Sequence, residues 1–511
     1  MTRHQEIPPT GGAYCGVLSP SPAALSSSAS PPVRHSSSAL HETATAHPRY
    51  GTTPRRNLLR VAIVGAGPAG IYAGDILSRT GLDVSIDLFE TLPAPYGLIR
   101  YGVAPDHPRI KGIVNSLHEM LDGGSIRLLG NVTFGRDLTL ADARRLYDAV
   151  IIATGASRDA ELDIPGIDLP GSFGAADVVS WYDGHPDVPR EWPLNAREIA
   201  VIGNGNVALD VARVLAKLPQ DMLRTDIPAN VHAGLAASPV TDVHVFGRRG
   251  PAHVRFTPIE LRELGEIPGV DTIVYEEDFA DAAGIDEVVA AAGTNQVKVM
   301  TRTMRGWLER VRTDAARRLH LHFWHRPVQV LGTDAVEGVR FERTVLRRGA
   351  AVGTGEFRDH SVQALYRAVG YVGSPVPDVP FDVEHGVVRN EEGRVLGEDG
   401  APIPGLYTTG WIKRGPVGLI GHTKGDAMET IEHLVSDFDD LPRAAEPDPD
   451  AVLALLEGRG VQYTTWQGWL ALDAHERALG AADTSPVERE RVKVVSRDEQ
   501  VAVSNAAVSV G

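Results

Sequence analysis

Two glycine-rich turns, each between an apolar strand and an apolar-periodic helix, constrain this chain more than any other feature. The first is Val61-Ala62-Ile63-Val64-Gly65-Ala66-Gly67-Pro68-Ala69-Gly70. The second is Ile199-Ala200-Val201-Ile202-Gly203-Asn204-Gly205-Asn206-Val207-Ala208. Glycines so placed let backbone N–H groups approach a pyrophosphate, and the helix N-terminus adds partial positive charge. The next strand of each unit ends in opposite charge. Ser85-Ile86-Asp87-Leu88-Phe89 ends in Glu90, twenty positions after Gly70. Asp242-Val243-His244-Val245-Phe246-Gly247 ends in Arg248-Arg249. A carboxylate there accepts hydrogen bonds from ribose hydroxyls and repels a 2′-phosphate, whereas two guanidinium groups attract one. Two different dinucleotides are therefore expected, with FAD and NADP as the natural pair.

A length of 511 residues allows two or three domains. No apolar run reaches the roughly 18 residues that a membrane span needs. The formal charge of -16 argues against nucleic acid or an anionic membrane as the main partner. The single cysteine, Cys15, excludes a disulfide framework, a redox-active dithiol and a self-ligated iron–sulfur cluster. Residues 1–56 are rich in Ser, Pro, Ala and His without periodicity, and are read as a disordered extension. Only Glu6 and Glu42 are acidic there, against five arginines, a balance that weakly resembles a transit peptide and equally suits a plain tail or a start codon placed too early. The expected location is the cytoplasm, or the mitochondrial matrix if that extension is a targeting signal.

From Arg60 the pattern runs strand, glycine turn, helix, strand, which is a βαβ unit. Tyr147-Asp148-Ala149-Val150-Ile151-Ile152-Ala153-Thr154-Gly155 reads as a buried strand closing in a turn. A second βαβ unit starts at Glu198, and the first pattern is expected to resume near Ala364. A strand near Gly405–Thr409 precedes a helix over about 423–436. The expected fold is α/β, with two Rossmann-like dinucleotide-binding domains and the NADP domain inserted into the FAD domain. The FAD domain takes 57–159 and 366–441, the NADP domain 160–365. Residues 442–511 form a partly helical C-terminal extension behind an acidic, proline-containing linker.

Other stretches carry weaker signals. Trp411-Ile412-Lys413-Arg414-Gly415-Pro416-Val417-Gly418-Leu419-Ile420-Gly421 precedes a helix, so its backbone N–H groups and the Trp411 indole suit a flavin, or else a plain core tryptophan. The Pro/Gly-dense, aromatic loop Pro95–Pro108 suits a wall beside a flat cofactor, although His107 within it reads first as a turn or cap residue. Glu260 and Glu263, three apart, share a helix face whose default reading is solvated. Arg302, Arg305, Arg310, Arg312, Arg317 and Arg318 make a basic run that suits either an acidic docking partner or a solvated helix and hairpin.

Taken together, these stretches resemble the adrenodoxin-reductase type of ferredoxin–NADP reductase, from about Arg60 to Leu434. The most specific pieces are Gly102-Val103-Ala104-Pro105-Asp106-His107-Pro108, the second fingerprint continued through Leu209-Asp210-Val211-Ala212-Arg213, Gly247-Arg248-Arg249-Gly250-Pro251 and Gly410-Trp411-Ile412-Lys413-Arg414-Gly415-Pro416. The resemblance implies an enzyme in which NADPH gives a hydride to flavin N5 and single electrons then pass to a ferredoxin-type iron–sulfur protein. It implies FAD contacts, beside Gly65 and Gly67 of the turn, at Gly70, Glu90, Leu98, Phe134, Trp411, Gly418, Leu419 and Ile420. It implies NADP contacts at Asn204, Gly205, Asn206, Val207, Arg248, Arg249, Glu260 and Gly418. His107 and Glu263 match family residues near the nicotinamide and flavin, and are the catalytic candidates. A monomer is implied, and the reaction calls for no metal. One departure is Ala160, where the family usually has a nucleotide-contacting arginine; Arg158 is the available substitute. Two other readings compete: a flavin oxidase or oxygenase acting on oxygen or a small acceptor, and a non-catalytic nucleotide-binding regulator.

Overall fold

Leu59–Val64 is buried along its whole length, as a parallel strand covered on both faces must be. Its neighbours are Val84–Phe89 and Ala149–Ile152, both parallel to it. The computed structural model describes residues 58–279, 289, 295–417 and 420–508. The expectations for residues 1–56, with Cys15, and for Gly418 and Leu419 lie outside the described residues. Seven strands make the first sheet, in the order Asn390–Glu391, Arg394–Leu396, Pro402–Thr408, Ala149–Ile152, Leu59–Val64, Val84–Phe89, Ile126–Leu129. Its last five strands are parallel, and the first two form an antiparallel edge.

A second, all-parallel sheet has six strands: Ser172–Gly174, Ala364–Arg367, Glu198–Ile202, Asp242–Phe246, Arg317–His322 and Val270–Val274. All six lie in sequence between Ala149–Ile152 and the later strands of the first sheet. One Rossmann-like unit therefore interrupts the other. The strand Ala364–Arg367, expected to resume the first pattern, pairs instead with Ser172–Gly174 and Glu198–Ile202 of the second sheet. A short run of buried apolar residues looks the same in either sheet, and only its pairing tells them apart. The chain crosses at Arg158–Asp159 and recrosses at Tyr371–Val372, and the two crossings pair antiparallel.

A three-stranded antiparallel sheet (His325–Leu331, Gly338–Arg347, Ala350–Ser361) covers one face of the six-stranded sheet. Phe341 stacks there on Phe246, ring centroids 4.1 Å apart. The C-terminal residues form helices Ala451–Gly458, Trp466–Ala482 and Arg497–Val508. The polar stretch after Ser485 is packed into the molecule. Lys493 Nζ donates to the carbonyls of Arg100 (2.9 Å) and Asp183 (3.0 Å), and Gln500 is fully buried.

Candidate active site

The two turns are built alike. Gly65 has φ +111°, and a Cβ there would lie 2.5 Å from the Ala153 carbonyl oxygen. Gly203 has φ +150°, and its Cβ would lie 2.1 Å from the Ala368 carbonyl oxygen. Each first glycine thus fits beneath the carbonyl that follows a neighbouring parallel strand, where no side chain is tolerated. A Cβ on Gly70 would meet the Gly65 carbonyl oxygen at 2.0 Å, so this glycine closes the turn. By contrast, Gly67 and Gly205 face open space, with nothing within 4 Å of a built Cβ. They N-cap the helices Pro68–Ser78 and Asn206–Ala216. Open backbone at a helix N-terminus is the room an anion needs.

Beyond the turns the units diverge. Glu90 accepts from the N–H groups of Ala66 (2.8 Å) and Leu92 (3.1 Å), which aims its carboxylate across the first turn. Burial pushes this carboxyl above its ordinary value, and the N–H donors oppose that rise. Arg248 is exposed, and the half-buried Arg249 keeps its Nε without a hydrogen-bond partner. Asn204 Nδ2 and Trp411 Nε1 are likewise buried and unpartnered. Asn206 accepts through Oδ1 from the Thr257 N–H (3.2 Å), and Val207 is half-buried beside it. Trp411 opens a single helical turn between Gly410 (φ +73°) and Gly415 (φ +82°), and is half-buried rather than enclosed in the core. Leu98 is half-buried, Phe134 belongs to the core, and Ile420 begins the helix Ile420–Ser436. Glycine turns with open backbone at a helix N-terminus, a carboxylate at one strand end and unpartnered N–H donors at the other fit a pair of dinucleotides.

His107 lies between the units. Its Nε2 is 2.9 Å from Asp210 Oδ1 and 2.8 Å from Glu260 Oε2, and its Nδ1 is 3.1 Å from Glu263 Oε2. Burial opposes the charged imidazole, yet the hydrogen bonds to Asp210 and Glu260 push its pKa up to about 10. Burial also raises the Glu263 carboxyl, which runs against this pairing. The clamp on His107 governs, because Asp210 and Glu260 are the closer partners. Arg213 joins the cluster through Asp106 (2.8 Å) and Asp210 (2.8 Å), and Lys217 adds a 2.9 Å pair with Asp106. Burial works against the Asp106 carboxylate, but Arg213 and Lys217 hold its pKa well below the ordinary range.

His107 does stand at the N-cap of the short helix Pro108–Lys111, as expected of a turn or cap residue, but its side chain caps nothing and is an ion-pair centre instead. The expected solvated acidic face is also corrected: Glu260 is 3% exposed and turned inward, while Glu263 stays half-exposed. Helical spacing shows that two residues share a face, and says nothing of what covers it. Asp210 and Arg213 were missed as site residues, although a carboxylate and a guanidinium three apart, just after the second fingerprint, were visible as a pair.

Residues 59–248 match the family described as pyridine nucleotide-disulphide oxidoreductase. NADPH-ferredoxin reductase FprA of Mycobacterium tuberculosis is 39% identical over 86% of this chain and 97% of its own. The mitochondrial NADPH:adrenodoxin oxidoreductase of Homo sapiens is 37% identical over 84% of this chain and 89% of its own. The chain belongs to the adrenodoxin-reductase type of ferredoxin–NADP reductases. A solved structure of Mycobacterium tuberculosis FprA in complex with NADPH superposes on this reductase with a TM-score of 0.80, at 38% identity over 88% of this chain and 99% of that one.

In this reductase the departure at Ala160 leaves a backbone contact, Ala160 N–H to the Gly370 carbonyl (2.8 Å). Arg158 Nη2 is 3.4 Å from the Gly373 carbonyl, so its side chain is tied to the recrossing strand. The basic run proves divided. Arg302, Arg310 and Arg312 are exposed, but Arg317 is buried and donates to the Lys217 carbonyl (2.6 Å), and Arg318 pairs with Asp242 (2.5 Å). Among the described residues no helix is long and apolar enough to cross a membrane.

Proposed function

We propose that this reductase oxidises NADPH and passes the electrons singly, by way of bound FAD, to a ferredoxin-type iron–sulfur protein. The observation that carries the reading is the pair of like-built turns with unlike strand ends, Glu90 in one and Arg248-Arg249 in the other. FAD, when bound, supplies the conversion between the electron pair of NADPH and the single electrons an iron–sulfur acceptor takes. The turn Gly65–Gly70 and its helix N-terminus hold the FAD pyrophosphate, and Glu90 holds ribose hydroxyls. Leu98, Phe134, Trp411 and the residues leading into Ile420 are assigned to the same cofactor. Asn204 to Val207 hold the NADP pyrophosphate, and Arg248 with Arg249 takes the 2′-phosphate. The assignment places the FAD domain at 57–159 and, after the second sheet's strand Ala364–Arg367, from the recrossing at Tyr371–Val372 to 441, with the NADP domain between them.

His107 and Glu263 are the residues we assign to the nicotinamide side. An imidazolium whose Nε2–H faces Asp210 and Glu260 and whose Nδ1–H faces Glu263 keeps both protons near neutral pH, so His107 positions Glu263 and the Pro95–Pro108 loop and does not shuttle protons. Glu260, engaged by His107 and Arg213, holds the imidazole in place. The bacterial relative supports a cytoplasmic location, and a monomer is the expected assembly, to be read by sedimentation.

Anaerobic stopped-flow reduction tests the reading. NADPH should bleach the yellow protein far faster than NADH, and oxidised ferredoxin should restore the colour rapidly. Restoration by air but not by ferredoxin would move the assignment to an oxidase. Replacing Arg248 and Arg249 together by alanine should weaken NADPH binding by roughly tenfold or more for each guanidinium removed, and spare NADH. Equal weakening with both nucleotides would sink the phosphate assignment.

A further inference from the structure

The second sheet carries a histidine alternation that no role above uses. His320 pairs in register with His244, and His322 with Phe246, so these four side chains share one face of two parallel strands. Val243, Val245, Leu319 and Leu321, on the opposite face, belong to the main core of that unit. The three-stranded sheet brings His325 and His360 against the histidine face. Five imidazoles meet there. His244 stacks on His320 with centroids 4.2 Å apart, and His322 lies 5.1 Å from His360, edge to face.

The five are not equivalent. His320 has both nitrogens engaged, Nε2 with Asp242 Oδ1 (2.9 Å) and Nδ1 with the Tyr275 hydroxyl (2.8 Å). His325 Nδ1 lies 2.6 Å from the Phe323 carbonyl oxygen, which can only accept. Nδ1 therefore carries the proton and Nε2 the lone pair. Arg343 Nη1 is 3.2 Å from that Nδ1, but its charge is taken up by Asp278 Oδ1 at 2.7 Å. His325 is 1% exposed, and its Nε2 has no partner. His360 Nε2 is also buried and unpartnered. One ring nitrogen each from His322, His325 and His360 lie within 4.8 Å of one another. Two unpartnered buried ring nitrogens beside a third imidazole are costly, at about 1–3 kcal/mol for each buried unsatisfied group.

We propose that His322, His325 and His360 form a site for a divalent transition cation of the zinc class, fastening the strand Arg317–His322 to the three-stranded sheet. Imidazole is the commonest protein ligand for such an ion, and three of them fill three of its four tetrahedral positions and leave the fourth to water. A tetrahedral zinc holds its nitrogens about 3.3 Å apart, so binding draws these three ring nitrogens closer than the 4.8 Å within which they now lie. The Phe323 carbonyl already fixes the His325 tautomer as an outer partner does. His244 Nδ1, 3.0 Å from His322 Nε2, plays the same part. When His322 Nε2 donates to His244, its Nδ1 keeps the lone pair a metal requires. The site lies against the second unit's strand end, where the His325 N–H donates to the Gly247 carbonyl (2.9 Å) and the Gly247 N–H to the His322 carbonyl (2.8 Å), next to Arg248 and Arg249; it does not rest on the redox reading.

Cobalt(II) titrated into the full chain with its nucleotides bound tests the proposal. The expected result is one saturable equivalent with ligand-field bands to the red of the flavin, displaced by zinc. His325→Gln and His360→Gln should each weaken binding by at least about tenfold, while the exposed His385→Gln should not. Absence of a saturable band in the unmodified chain overturns the site, whatever the variants do. So does a band that survives both variants, or one abolished by His107→Gln instead, which would put the ion among His107, Glu260 and Glu263.

Discussion

Gly203 and Gly205 stand two apart and should fail differently when substituted. An alanine at Gly203 meets both a left-handed φ and the Ala368 carbonyl oxygen at 2.1 Å, so the fold itself suffers. Gly205 has extended backbone (φ -118°, ψ 178°) and open space around it. Gly205→Ala should therefore unfold at the wild-type midpoint yet bind NADPH roughly tenfold more weakly, because the methyl stands where the pyrophosphate approaches. Fluorescence or calorimetric titration reads the second effect, and an unchanged affinity would place the pyrophosphate elsewhere. Residues at this scale were legible wherever position along an element decides the chemistry. Glu90 and Arg248-Arg249 were visible because a strand end is a fixed place. The inward turn of Glu260 was not, because it depends on a histidine from a loop far back in the chain.

The helix Trp466–Ala482 shows the same division one level up. Its existence was readable from Trp466-Gln467-Gly468-Trp469-Leu470-Ala471-Leu472, but its partner was not. Glu476, fully buried, takes both Nη groups of Arg100 at 3.1 and 2.5 Å and accepts the Val494 N–H at 3.0 Å. The two side chains are 376 positions apart in sequence, and no local pattern couples them. Glu476→Ala would leave the Arg100 guanidinium buried and unpaired. Such a change costs about 3–5 kcal/mol, to be read as a lower midpoint in chemical unfolding. Removing both partners, as Arg100→Met with Glu476→Leu, should cost less than the single change, since no orphan charge remains. Strand existence and turn chemistry were likewise plain from sequence, while the sheet to which Ala364–Arg367 belongs was settled only by pairing across the fold.

For the molecule as a whole, His107 couples the units through protonation. It sits on the Pro95–Pro108 loop following the first unit's second strand, and its carboxylate partners sit on two helices of the second unit. Its folded pKa, about 10, lies above the ordinary histidine value of 6.5. The clamp thus stabilises the fold in full below about pH 6.5 and is lost as pH rises through about 10. The gap in unfolding midpoint between the wild type and His107→Gln should therefore narrow steadily as pH is raised from neutral towards 10. A gap that stays constant would mean the imidazole is not held charged. The paired crossings at Arg158–Asp159 and Tyr371–Val372 carry a different consequence. Because the interrupting unit leaves and re-enters at adjacent points, its covalent connection to the host is a single two-strand stalk, with side-chain bridges such as the His107 cluster added from outside. Such a block can be gained, exchanged or trimmed in evolution as one event, with the host sheet keeping its strand order throughout.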